Sequence, residues 1–152
     1  MMAEIRDFLA QRRIAVAGVS QQERDFSRML FRELRKRGYE VIAVNPAARE
    51  IEGSPCYARV QEIQPPVENV LLMTKPAVTY ALVRDCAAAG VKRVWMYRAG
   101  GDGAVQPDAV TFCREHGIEV IPGECPFMFL PGGAWYHRAH GWVRRIRGTY
   151  PK

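Results

Sequence analysis

The sequence reads IAVAGV at residues 14–19, an apolar run of the kind that forms a strand covered on both faces of a sheet. After this run, helix-period segments alternate with apolar segments of strand length, which is typical of βαβ units and a mainly parallel sheet. Further strands are predicted at residues 40–44, 67–73, 91–97 and 118–121. We therefore expect an α/β fold with a doubly wound, mainly parallel, five-stranded sheet and residues 14–19 as its central strand.

Such a sheet is Rossmann-like, and the rest of the chain is expected to complete one domain over residues 1–152. With 152 residues and 48% apolar content, the chain can fill one core. Short helices are predicted over about residues 3–11 and, in a loop-rich passage, near 57–63. Residues 123–152 depart from the alternation and form an extension that ends in an amphipathic helix, with Trp135 and Trp142 on its apolar stripe.

The net charge and the cysteine content limit which partners and which cellular compartment are expected. A formal net charge of +6 favours phosphorylated cofactors, nucleic acid or acidic protein surfaces. No run approaches the ~18 apolar residues of a membrane span, and the first residues do not resemble a signal peptide, so we expect a cytoplasmic protein. The widely spaced cysteines are expected to be reduced, and two of them to pack as small hydrophobes within helices, Cys86 and Cys113.

The loop after the first strand lacks a dinucleotide fingerprint. Ligands of an open parallel sheet bind beyond the carboxyl ends of the strands, where the strand order reverses. An NAD site there would show GxGxxG and an acid at the end of the second strand to hold the ribose 2′-hydroxyl. This chain has only Gly18 of that motif, and Asn45-Pro46 in place of the acid. The pattern disfavours NAD.

A polar loop, SQQERD at residues 20–25, stands where the fingerprint would be and runs into a long helix. Backbone N–H groups and the dipole at a helix N-terminus favour a phosphate, and Arg24 can add a charge-assisted contact. A tight strand–helix turn at Gly18 with a solvated Arg24 explains the same residues. Both interpretations stay open on the pattern alone.

An ordered set of short motifs spans about residues 5–130. It comprises GVS at 18–20, Arg24 and Ser27, GYEV at 38–41, VNP at 44–46, EIEG at 50–53 and CP at 125–126. Taken together, the set resembles the small bacterial CoA-binding domain family, which is related to the CoA-binding domain of succinyl-CoA synthetase α subunits.

The resemblance implies a Rossmann-like site for coenzyme A or an acyl-CoA. Because CoA carries a pyrophosphate and a ribose 3′-phosphate, its site needs cations where an NAD site needs an acid. The cofactor-binding residues expected on this basis are Gly18, Val19, Ser20, Arg24, Ser27, Asn45, Pro46, Arg49, Met73, Thr74, Lys75 and Tyr97.

Two loops depart from the family pattern. The third strand ends in Met73-Thr74-Lys75 instead of an aromatic–arginine pair, and WMYRAG at residues 95–100 replaces a Trp-Leu-Gln-x-Gly motif. In the second loop, Tyr97 either stacks on the ligand or fills the mouth of the pocket. The resemblance carries no catalytic activity to this chain.

We therefore expect a non-catalytic binding or sensing protein; the alternative is an NAD(P)-binding oxidoreductase or redox sensor on the same fold. Self-association or a protein partner at the C-terminal helix is a further option, and no nucleic-acid reading motif accompanies that helix's basic face. Cys125 with His137 and His140 could form a nucleophile–base pair or part of a zinc site, but zinc needs about four ligands. We favour a chain turn at Cys125, before Pro126, and a solvated helix face for His137 and His140.

Overall fold

The computed structural model describes residues 1–131. The predicted C-terminal helix, with Trp135, Trp142, His137 and His140, lies outside the described residues. The helices are α1 (Met2–Ala10), α2 (Phe26–Lys36), α3 (Pro76–Ala88) and α4 (Pro107–Glu115), and two 3₁₀ turns span Val60–Glu62 and Pro126–Met128. The strands are β1 (Arg13–Ala17), β2 (Glu40–Val44), β3 (Glu50–Ile51), β4 (Ser54–Tyr57), β5 (Asn69–Leu72), β6 (Arg93–Met96) and β7 (Glu119–Pro122).

The strands form one sheet in the order β3-β4-β2-β1-β5-β6-β7. All neighbouring strands are parallel except β3, which runs antiparallel to β4. This confirms the Rossmann-like, mainly parallel fold and all five predicted strands, with β1 at the centre. The predicted number of strands was wrong, because the passage between β2 and β5 adds a short hairpin.

That hairpin turns at Glu52-Gly53, and both residues have left-handed backbone conformations, φ 50° and 76°. Positive φ at both central residues is the geometry of a type I′ hairpin turn, which Asn-Gly and Asp-Gly usually supply. The Glu-Gly pair is a weak turn signal, and Pro55 argues against a strand. The helix predicted near residues 57–63 is a single 3₁₀ turn that follows β4.

Helices cover both faces of the sheet. Ile14 and Val16 of β1 point into the core beneath α1 and α2, whereas Ala15 and Ala17 point into the core beneath α3 and α4. Cys86 and Cys113 are fully buried in α3 and α4, as predicted, and burial raises the pKa of Cys113 to about 11. The cysteines are all free thiols.

No helix within residues 1–131 combines the length and apolar character needed to cross a membrane.

The chain leaves β1 through Gly18, whose φ is +93°. A Cβ atom at this position would lie 2.7 Å from the carbonyl oxygen of Met73, at the end of β5. Real Cβ atoms do not approach backbone oxygens so closely. The contact between these two strand ends therefore requires glycine.

We predict that Gly18→Ala lowers the free energy of unfolding by about 2–5 kcal/mol, since left-handed strain of about 1–2 kcal/mol adds to an overlap costing about 1–3 kcal/mol. Gly53→Ala is the matched control, because Gly53 also has positive φ but its Cβ would meet no atom within 4 Å. Urea unfolding measures both. Equal losses in the two variants would show that the overlap with Met73 contributes nothing.

Candidate ligand-binding site

Five loops share the carboxyl edge of the sheet, because β1, β2, β5, β6 and β7 run parallel. The chain passes from β1 to β2 on one side and later returns to β5 on the other, so the strand order reverses between β1 and β5. In open parallel sheets this switch point is where ligands bind. The loops gathered there are residues 18–25, 45–49, 73–75, 97–103 and 123–125.

Ser27 shapes the first of these loops. Its hydroxyl accepts a hydrogen bond from the backbone N–H of Ser20 (2.8 Å) and donates one to Oδ1 of Asp25 (2.6 Å). Asp25 also caps α2 by accepting from the N–H of Ser27 (2.9 Å). The Asp25 carboxylate thus accepts the N–H of Ser27, one of the helix N–H groups that the sequence predicted to be available to a phosphate. The role of Ser27 is to hold the loop in shape.

Other amides of this loop remain available. Among residues 1–131, the backbone N–H groups of Gln21, Glu23 and Arg24 donate no hydrogen bond, whereas those of Ser20 and Gln22 do. The side chains of residues 21–25 are exposed. The loop therefore offers an anion several N–H donors beside the Arg24 guanidinium.

Asn45 joins the first loop to the second. Its side-chain amide donates to the carbonyl oxygen of Val19 (2.8 Å), and its Oδ1 accepts from the N–H of Ala47 (2.8 Å). Both polar groups of the side chain are therefore used within the protein. Asn45 and Val19 lie on loops at the carboxyl edge of the sheet, as predicted, and the contact between them positions the two loops. Pro46, next to Asn45, is exposed.

A buried ion pair that sequence reasoning missed lies beneath the first loop. Arg28, only 6% exposed, donates through Nε to the carboxylate of Glu52 (2.9 Å). Its Nη1 donates to the carbonyl oxygens of Ser20 (3.2 Å) and Gln21 (3.1 Å). The hydrogen bond from Arg28 to the Glu52 carboxylate holds the pKa of Glu52 below its ordinary value. The signal for this pair in the sequence was a charged residue, Arg28, among the apolar residues in the first turns of α2.

Three cations around the switch point have no side-chain partner within residues 1–131. Arg24, Arg49 and Lys75 follow β1, β2 and β5, and all three are exposed. Within residues 1–131 none of them forms an ion pair or a side-chain hydrogen bond, in contrast to Arg28 and Arg37. The charges predicted for phosphate recognition are therefore on loops of the same edge and available to a ligand.

A cavity of about 300 Å³ opens beside the switch point. Tyr97 is half-buried at its wall, with its ring centroid 5.6 Å from that of Phe26. Burial raises the pKa of the Tyr97 phenol, so it stays protonated at neutral pH. The other lining residues are Asp25, Ser27, Met73, Thr74, Lys75, Pro76 and Gly103. The structure thus joins Tyr97 to the predicted Met73–Lys75 loop and adds Phe26, which the sequence analysis missed.

Cys125 lies at the end of this edge but is fully buried, and it precedes the 3₁₀ turn Pro126–Met128. A buried thiol at a chain reversal fits the structural role expected of it. In the described part of the chain, no three His, Cys, Asp or Glu side chains cluster as a metal site requires. His137 and His140 lie outside that part.

Comparison with known proteins relates this chain to both large enzymes and small proteins. Residues 12–131 match the family model of a CoA binding domain. The chain is 28% identical over 118 residues to ADP-forming acetate–CoA ligase I of Archaeoglobus fulgidus, a match that covers 74% of this chain and 17% of the ligase. It is 27% identical over 124 residues to the uncharacterized protein YneT of Bacillus subtilis, which covers 81% of this chain and 89% of YneT.

The fold is similar to that of a hypothetical protein from Pyrococcus horikoshii, with a TM-score of 0.76 and 27% identity. That match covers 83% of this chain and 87% of the Pyrococcus chain. The chain therefore spans only a small part of the ligase, but most of the length of the two small proteins.

The Arg28–Glu52 pair generates a pH-dependent prediction. We expect Glu52→Gln to lower the free energy of unfolding at pH 7 by about 1.5–3 kcal/mol, the range for hydrogen bonds to charged groups. Because the folded-state pKa of Glu52 is lowered, its stabilisation is present above the unfolded pKa of about 4.3 and is lost as pH falls through the folded pKa. Urea unfolding at pH 7 and pH 3 should show the deficit of the variant becoming smaller at pH 3.

Glu50→Gln is the control, since Glu50 is an exposed neighbour that forms no ion pair within residues 1–131, and it should change stability by less than about 0.5 kcal/mol. A Glu52→Gln deficit of the same size at both pH values would contradict the assignment of the effect to the Glu52 charge.

Proposed function

Since the chain belongs to the CoA-binding domain family, we propose that it binds coenzyme A or an acyl-CoA at the carboxyl edge of its sheet, as a binding or sensing protein without catalysis of its own. The observation that carries this proposal is the loop of residues 20–25. It presents unbonded backbone amides beside Arg24, and no acid occupies the end of β2. Such a loop suits phosphate groups better than a ribose diol.

In the proposed binding mode the pyrophosphate lies on the loop of residues 20–25. The ribose 3′-phosphate lies beyond β2, near Pro46 and Arg49, and the pantetheine arm crosses β1 toward Met73–Lys75 and Tyr97. This orientation follows the strand order, because β2 and β5 flank β1 on opposite sides. The three unpartnered cations are then spread along the ligand instead of being clustered at one phosphate.

The non-catalytic role is supported by how the reactive side chains near the cavity are used. The Ser27 hydroxyl is bonded to Asp25 and Ser20, and the Cys125 thiol is fully buried. The Archaeoglobus relative is a ligase, but the matched region is 17% of its length. The ligase activity is therefore not extended to this chain.

An NAD(P)-binding oxidoreductase or redox sensor is the second candidate, and one observation favours it. The parallel strands follow the order β4-β2-β1-β5-β6-β7, which corresponds to the 3-2-1-4-5-6 order of dinucleotide-binding sheets. Asn45 argues against this candidate, because it occupies the position of the ribose-binding acid and is hydrogen-bonded to Val19 and Ala47.

We further propose that the chain acts as a single domain in the cytoplasm, consistent with its free cysteines. A small nucleotide cofactor is the proposed partner. For the C-terminal segment we propose self-association or protein binding in preference to nucleic-acid binding. That segment lies outside the described residues.

The proposal predicts that CoA raises the melting temperature and that NAD and NADP at the same concentration do not, because a ligand stabilises only the state that it binds. At a hundredfold excess over Kd the gain is about 2.7 kcal/mol, or roughly 5–10 °C for a chain of this size. Differential scanning calorimetry with each ligand provides the test. A shift with NAD or NADP alone would reverse the ranking of the two candidate functions.

Two arginines should separate the phosphates of CoA. Arg24→Ala should weaken CoA and dephospho-CoA alike, by about tenfold to a hundredfold, because both ligands carry the pyrophosphate. Arg49→Ala should weaken CoA only and thus abolish its advantage over dephospho-CoA, since arginine recognition of phosphate is charge-assisted. Isothermal titration of the two ligands against the wild type and both variants distinguishes these patterns.

Arg6→Ala is the matched control, because Arg6 is an exposed arginine on α1, and it should change neither affinity. If CoA and dephospho-CoA bind the wild type equally well, the 3′-phosphate lies in solvent and the assignment to Arg49 is wrong.

A further inference from the structure

None of the phosphate contacts proposed above uses the cavity beside the switch point. It lies over the ends of β5 and β6, whereas Arg49 follows β2 on the other side of β1. A CoA molecule whose phosphates occupy the loops after β1 and β2 therefore directs its thiol end toward this cavity. The inference developed from it rests on the proposed function and deepens it.

The walls of the cavity suit an apolar group. Phe26, Met73, Pro76 and Tyr97 supply large apolar surfaces. Two lining hydroxyls are already used, since that of Ser27 bonds to Asp25 and that of Thr74 lies 3.3 Å from the Thr79 hydroxyl.

The rim of the cavity carries charges of both signs. The carboxylate of Asp25 and the ammonium of Lys75 both belong to the lining, and Lys75 is exposed. A carboxylate that passed beyond this rim would lose its water among the apolar walls. A neutral chain avoids that cost.

The volume suits a short chain. At about 30 Å³ for each non-hydrogen atom, the share of a water molecule in the liquid, a cavity of about 300 Å³ holds about ten such atoms. The cysteamine end of the pantetheine arm and a four-carbon acyl group together supply about that number. A free thiol alone would leave most of the space unfilled.

We propose that this cavity receives the acyl chain of a short, neutral acyl-CoA of about four carbons, so that the preferred ligand is a short-chain thioester and not free CoA. The apolar wall then contacts the acyl chain, while the loop of residues 20–25 holds the pyrophosphate. Each buried methylene should tighten binding by up to about fourfold.

Isothermal titration with CoA, acetyl-CoA, butanoyl-CoA, octanoyl-CoA and succinyl-CoA tests the proposal. We expect butanoyl-CoA to bind about tenfold more tightly than acetyl-CoA, octanoyl-CoA to bind no more tightly than butanoyl-CoA, and succinyl-CoA, which also has four acyl carbons, to bind more weakly. Equal affinities for CoA and all thioesters would overturn the inference and leave the proposed function standing. Tighter binding of succinyl-CoA would overturn it in favour of a charged acyl group, and binding of none of the ligands would refute the proposed function itself.

Met73→Ala tests whether the cavity itself selects the chain length. Removing this half-buried side chain enlarges the cavity, so the preferred length should increase from butanoyl-CoA to hexanoyl-CoA or octanoyl-CoA. Met128→Ala removes the same side chain from a groove beside α1 and should leave the length preference as in the wild type. A uniform loss of affinity for CoA and every thioester in Met73→Ala, with no change in preferred length, would overturn the assignment of the acyl chain to this cavity.

Discussion

Gly18 lets the ends of β1 and β5 come into backbone contact, and the rest of the site is organised around that contact. The carbonyl oxygen of Met73 occupies the space that a side chain at Gly18 would need. The two strands belong to opposite halves of the doubly wound sheet, so their contact closes the floor of the switch point. A ligand bound as proposed would lie across the loops above the floor and touch both halves. Asn45 and the Arg28–Glu52 pair fix the loops on the β2 side relative to this floor.

Much of this arrangement follows from short-range sequence patterns. The run at residues 14–19 identified the central strand because a strand buried on both faces is apolar at every position. Loops 18–25, 45–49 and 73–75 could be assigned to one edge as soon as the strands were taken as parallel. The β3–β4 hairpin could not be predicted, because its turn uses Glu52 in a conformation that glycine or asparagine normally supplies.

The details of the site depended on contacts between residues distant in sequence. Arg28 and Glu52 are 24 residues apart, and nothing in either local pattern indicates that they pair. The sequence also offered the α2 N-terminus to a phosphate, whereas Asp25 caps that helix itself. The electrostatic character of the loop thus comes from its unbonded amides and its flanking cations more than from the helix end. The cavity wall of Phe26 and Tyr97 joins residues from α2 and the loop after β6, which only the tertiary fold brings together.

The short β3 strand also affects how readily one molecule can pair with another through the sheet edge. An open sheet exposes unpaired backbone groups at its edges, and these can recruit strands from other molecules. Here one edge ends in β3, a strand of only two residues. The strand at the opposite edge, β7, ends in Pro122. Both margins of the sheet within residues 1–131 are therefore poor templates for pairing with a strand of another molecule.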